Sequence, residues 1–178
     1  MLPKPLYPLA VVLLPALLAL LLVSCDGFEA PRSCLSHYAI GDRSGWQLEG
    51  NGIALHLDSG TRWYRCPAGM TWAANRCQGQ ALRSGWDEAV AYAAEFSEKS
   101  GLTWALPDNR QFSAIQENAC NNPSMNPQVL GSLEVGNYWT ATRTLSNEKF
   151  RCTLYSFAGD INCREPKDNP HPFYLLLE

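Results

Sequence analysis

The sequence predicts an α+β domain, two short helices packed on antiparallel sheets and cross-linked by disulfides. Three observations lead there. Short runs that alternate apolar and polar residues are separated by Gly, Pro and Asp turns, the pattern of half-buried strands. Two stretches open with a capping pattern and continue at helical spacing. Seven cysteines in 178 residues are more than an intracellular domain carries without a metal or redox motif, which points to export. The length suits one domain. Charged residues make up 17 % of the chain and there are six tryptophans, which excludes a disordered chain. The net charge is −3 and the 14 Lys and Arg are scattered, which excludes a nucleic-acid partner.

Residues 1–24 read as a lipoprotein signal peptide. Lys4 precedes an apolar run to Val23, and Leu22-Val23-Ser24-Cys25 resembles a lipobox. Cleavage before Cys25 leaves that thiol to carry a diacylglycerol, an anchor of palmitate-type chains. The competing reading is an uncleaved transmembrane helix, and Pro8 and Pro15 speak against it. Lys4 is the one charged side chain lost, so the net charge of the mature chain becomes −4. Asp26 favours the periplasmic face of the inner membrane, with the outer membrane as the alternative. Residues 25–45 form a lipidated tether and lead-in segment, and 46–178 the domain.

Within the domain, Ile53–Leu57 and Thr61–Tyr64 flank Asp58-Ser59-Gly60 as a hairpin. Cys66 to Cys77 closes a small loop around Pro67 and Gly69. No further Cys or His at ligand spacing supports zinc there, so the pair reads as a disulfide. Ser84 and Asp87 predict a capping box for a helix whose core stripe is Trp86, Ala89, Val90, Ala93 and Phe96, with Gly101 as its stop. Asp108 and Gln111 repeat the pattern for a second helix that carries Phe112 and Ile115 and ends near Asn118. Residues 121–127 read as a loop, Tyr138–Thr142 as a strand, and Phe173–Leu177 as a closing strand.

Phe150–Phe157 and Ile161 onward form a second hairpin around Ala158-Gly159-Asp160. With lipidated Cys25 set aside and Cys66 bonded to Cys77, four thiols remain and three pairings are open. Locality favours Cys152 with Cys163, leaving Cys34 with Cys120. A turn at 158–160 puts Cys163 opposite Tyr155, so Cys152 and Cys163 point to opposite faces unless a bulge intervenes.

Several stretches together resemble the Lcl C-terminal domain family, from about residue 53 to 178. They are Gly60 and Trp63, Arg65-Cys66-Pro67-Ala68-Gly69, Trp72, Cys77-Gln78-Gly79, Trp86 and Ala89, and Trp104-Ala105-Leu106-Pro107. Asn122-Pro123-Ser124-Met125-Asn126, Tyr138-Trp139-Thr140, Gly159 and Phe173–Leu177 continue the series. The resemblance implies a C-type-lectin-like or formylglycine-generating-enzyme-like architecture, with two helices against irregular antiparallel sheets. It also implies binding at the cell surface, since the founding member is a collagen-like adhesin that contacts sulfated glycans. Two departures stand out. The family's usual Arg between Trp and Leu-Pro is Ala105, and the usual Arg of the closing strand is absent from Phe173–Leu177.

Catalysis has little support. His37, His56 and His171 lie in separate segments, and no metalloprotease, nucleophile-elbow or phosphate-loop motif occurs. Glu165-Pro166-Lys167-Asp168-Asn169 resembles the calcium and sugar motif of C-type lectins, but follows the core strands and reads as a polar loop. The expectation is therefore a lipid-anchored binding module without metal or cofactor, which recognises a glycan or an envelope protein through an exposed aromatic patch such as Tyr138, Tyr155 or Phe157. The alternative is a structural or accessory lipoprotein of a secretion or pilus assembly.

Overall fold

A computed structural model describes residues 31–144 and 147–178, and all structural statements concern these residues. The signal peptide, Cys25 and Asp26 lie outside them. Residues 31–178 form one compact unit.

The order is α1 (Cys34–His37), β1 (Trp46–Leu48), β2 (Ile53–His56), β3 (Arg62–Tyr64), β4 (Thr71–Ala73), β5 (Arg76–Gln78) and α2 (Trp86–Ser100). It continues with β6 (Trp104–Ala105), α3 (Asn109–Ala114), β7 (Asn137–Arg143), β8 (Phe150–Tyr155), β9 (Asp160–Pro166) and β10 (Leu176–Leu177). All the paired strands are antiparallel. They make a five-stranded sheet in the order β1-β2-β3-β10-β6, a β4-β5 hairpin and a β7-β8-β9 meander. The fold is α+β, with three helices where two were expected. The added α1 lies in the lead-in segment, where Ser33 caps it by accepting from the amide of Leu35.

The closing segment holds the core together. Phe173, Tyr174, Leu175 and Leu176 are all buried. Side chains alternate along an extended chain. Tyr174 and Leu176 therefore join the cluster around Trp63, Phe112 and Tyr138, while Phe173 and Leu175 join the one around Trp86, Trp104 and Trp139. Both faces of this segment are covered, which accounts for its uninterrupted apolar sequence.

Three disulfides are present, Cys34–Cys120, Cys66–Cys77 and Cys152–Cys163. The third is reached by a register other than the expected one. The turn is Ser156–Gly159, so Tyr155 faces Asp160 and Thr153 faces Asn162. Between Thr153 and Arg151 the register shifts by one residue, because Arg151 pairs with Glu165. Cys163 thus enters a bulge beside Cys152, and both sulfurs lie on one side.

The helix starts also differ in part. Asp108 and Gln111 form the expected capping box, with the Gln111 amide donating to Asp108 Oδ1 at 2.7 Å. That helix stops at Ala114, well before Asn118, because Ile115 turns inward into the core. For α2 the cap is Gly85, not Ser84, and the Glu88 carboxylate accepts from the Gly85 amide at 3.1 Å. Ser84 is drawn into a backbone bridge with His171. A side chain at position 85 would meet the Lys167 carbonyl. Along the stripe of α2, Trp86, Ala89 and Ala93 are buried, Val90 is exposed and Phe96 is half-buried.

The 165–169 segment is knitted into the fold. Glu165 Oε1 accepts from Asn169 Nδ2 and lies against His171 Nε2, each at 2.7 Å. Burial alone would raise this carboxyl, yet the hydrogen bonds from Asn169 and His171 bring it below the usual glutamate value of 4.5. The folded state therefore binds this proton less tightly than the unfolded chain. Its stabilisation is present above that usual value and is lost as the pH falls through the lowered one. Glu165→Gln is expected to flatten the fall in melting temperature as the pH drops below 4.5, measured by calorimetry, and an unchanged acid limb would contradict this assignment.

Candidate functional site

The Cys66–Cys77 loop is not irregular. It carries the β4-β5 hairpin, turned at Ala74 and Asn75, which both have positive φ. This hairpin presents Trp72 beside the helix α2 face that bears Tyr92 and Phe96, and beside Tyr64 of β3 and Trp104 of β6. The five aromatic residues line a groove of about 530 Å³. Its size falls in the range of small-molecule sites.

Hydrogen bonds lock the walls. Tyr64 Oη accepts from the Trp72 amide at 2.9 Å, and Tyr92 Oη accepts from the Gly69 amide at 3.1 Å. Trp104 Nε1 donates to Ser100 Oγ at 3.1 Å. The rings brace one another, with Tyr92 stacked on Phe96 and Trp104 edge-on to both Phe96 and Tyr64. Behind the groove, the Arg65 guanidinium lies 3.8 Å from the Trp72 ring centroid. Its Nε donates to the Val129 carbonyl at 2.8 Å and Nη2 to that of Gln128 at 3.1 Å. Burial, with a smaller effect of Arg43, pushes Arg65 down to about 10, so it stays charged at neutral pH. Arg65 is thus a buried support for Trp72 and leaves little charge for a ligand.

The edge of the groove is a strained turn. Gly50, Asn51 and Gly52 all have positive φ, at 75°, 47° and 77°. Gly52 has a further reason to be glycine, since a Cβ there would lie 2.5 Å from Trp72 Cβ. The turn sets Asn51 at the groove, which Thr71 of the hairpin also lines. Among the described residues, neither the Asn51 amide nor the Thr71 hydroxyl has a protein partner, so both remain for a ligand. Backbone strain of this kind concentrates at binding sites.

Little of this was predicted as a site. Arg65, Trp72 and Trp104 stand in the sequence as motif residues, Tyr64 as part of a strand and Phe96 as core, while Tyr92 and the 50–52 turn carry no reading there. The available signals were Gly50-Asn51-Gly52 and the i, i+4 spacing of Tyr92 and Phe96. Of the expected aromatic patch, Tyr138 is a correction. It is only 1 % exposed, because it packs on Tyr174 while its hydroxyl bonds the Glu134 backbone. Tyr155 and Phe157 are exposed and stack on each other, 6.1 Å between centroids.

The histidines stay apart. His56 Nδ1 lies 2.8 Å from Ser59 Oγ, within the β2-β3 hairpin turn. Burial lowers the His56 pKa, which keeps its ring neutral. His171 packs edge-on to Trp139. Among the described residues no group of His, Cys, Asp or Glu is placed to hold a metal ion. All six cysteines of the described residues are bonded.

The family model for the Lcl C-terminal domain matches residues 52–176, a span that contains the groove except for Asn51 at its edge. No curated protein and no solved structure matches the chain.

Proposed function

From a chain that belongs to the Lcl C-terminal domain family, we propose a lipid-anchored extracytoplasmic binding module whose aromatic groove takes a glycan. The observation that carries this reading is the groove itself: rigid aromatic faces with the unpaired side chains of Asn51 and Thr71 at its edge. Sugar rings offer apolar C–H faces and hydroxyl rims, and such a lining matches both. The net charge of −3 and the burial of Arg65 favour a neutral glycan over a sulfated one. The reading excludes catalysis, and the separation of His37, His56 and His171 supports that. A glycan array paired with an envelope pull-down tests it. Trp72→Ala is expected to weaken capture at least about tenfold, as loss of a central aromatic anchor does. Unchanged capture, or turnover that vanishes on changing one His, would overturn the proposal.

Cys25 carries the anchor in this reading, supported by Leu22-Val23-Ser24-Cys25, and Asp26 favours the periplasmic face of the inner membrane. The mature chain from residue 25 carrying Cys25→Ala is expected in the soluble fraction, and its partition with membrane would contradict the anchor. The exposed Tyr155–Phe157 stack favours a second reading, in which this face docks on a protein of an envelope assembly such as a secretion or pilus machine.

A further inference from the structure

On the other side of α2 from the aromatic groove lies a smaller pocket of about 310 Å³. Its walls are apolar and include Trp86, Val90, Trp104, Ala105 and Leu106, and Arg143 is the one charged residue that lines it. The volume corresponds to about ten non-hydrogen atoms, taking roughly 30 Å³ for each water-sized unit.

The cationic side of this pocket is unusual. Arg143 and Arg151 face each other across β7 and β8. Their guanidinium carbons lie 5.3 Å and 4.6 Å from the Trp86 ring centroid. The Trp86 indole is itself fixed, because its Nε1 donates to the Thr140 carbonyl at 2.7 Å. Arg151 is only 8 % exposed, and its Nε has no partner among the described residues. Its Nη1 is spent on the carbonyls of Glu148 and Phe150. Among the described residues neither arginine has a carboxylate within salt-bridge distance. The nearby carboxylate of Asp87 is bonded to Lys167 and acts on Arg143 and Arg151 only from beyond salt-bridge distance. Two guanidinium groups on one indole repel each other, and an anion beside them would relieve that repulsion.

We propose that this pocket binds a small apolar carboxylate, with its hydrocarbon body between Trp86, Val90, Trp104 and Leu106 and its carboxylate on Arg143. Ala105 keeps the space open, since any long side chain there would occupy the pocket. The pocket shares the Trp104 indole with the aromatic groove, but Arg143 and Val90 line the pocket and not the groove, so failure of either reading leaves the other standing.

Phenylacetate has about the right number of atoms and is the probe, with 2-phenylethanol as its uncharged counterpart. Titration of the full chain at low salt, followed through the Val90 and Leu106 methyl resonances, is expected to show phenylacetate binding about tenfold tighter than the alcohol, the discrimination of one charge-assisted hydrogen bond. Arg143→Gln should erase that ratio while weak binding of both compounds persists. Ala105→Leu should abolish binding of both with the circular dichroism spectrum unchanged. If the Val90 and Leu106 methyls do not respond, or the preference for the carboxylate survives in Arg143→Gln, the proposal is wrong. Should Ala105→Leu fail to fold, Arg143→Gln alone still decides between the two outcomes.

Discussion

A Cys66→Ser, Cys77→Ser double variant is expected to lose about 3 kcal/mol of stability, the loop-closure value for a ring of this size, and with it all binding in the aromatic groove. The bond joins residues 11 apart and holds both ends of the segment that carries β4 and β5. Cys66 is fully buried, and Gly131 sits so close to Cys77 that a Cβ there would lie 2.8 Å from the sulfur. A hairpin of three-residue strands does not stand alone in water. Its other ties include the Tyr64 hydroxyl on the Trp72 amide, the Arg65 guanidinium on the Trp72 ring and the Tyr92 hydroxyl on the Gly69 amide. Without the bridge these hold too little to keep the tryptophan in place. Guanidinium denaturation gives the stability loss and the glycan array the binding. A variant that denatures at a lower concentration yet binds as before would separate the groove from the loop.

Trp63→Ala is expected to cost about 3–5 kcal/mol, the range for removing a large buried aromatic side chain. Trp63 is fully buried at the middle of β3, between β2 and β10, and its ring lies 5.3 Å from that of Phe112 on α3. The indole Nε1 also donates to Thr61 Oγ1 at 2.9 Å. Whole domains are stable by only about 5–15 kcal/mol, so this change removes a large share of the total. Trp63→Phe keeps most of the ring volume and should recover about half of the loss. Chemical denaturation of the two variants measures both, and a loss under about 1 kcal/mol for the alanine would contradict the placement of Trp63 at the centre of the core.

The elements that could be read from the sequence are those fixed by local chemistry. The β2-β3 hairpin announces itself by alternation around Asp58-Ser59-Gly60, and α3 by Asp108 and Gln111. Where two local signals compete, the surroundings decide. Ser84 and Gly85 both offer a start for α2, and Gly85 wins because the chain at Lys167 and His171 claims that stretch of backbone. The closing strand is legible in the apolar run Phe173–Leu177, of which Leu176 and Leu177 pair with β3 and β6, whereas the two-residue strand β6 is held by its pairing with β10. The hairpin inside the Cys66–Cys77 loop was hidden because cysteines and a Pro-Gly pair suggest irregular chain. The groove was the least legible part, for Tyr64, Trp72, Tyr92, Phe96 and Trp104 come from four different elements. Only the assembled fold makes them neighbours.

The position of β10 has a consequence for biogenesis. Leu176 and Leu177 pair with β3 on one side and β6 on the other. Until residues 173–177 arrive, the sheet remains in two pieces and both aromatic clusters stand open along one seam. Contacts this distant in sequence are slow to form. The two pieces of the sheet consequently join only when this distant segment docks between β3 and β6, and the same step closes both aromatic clusters.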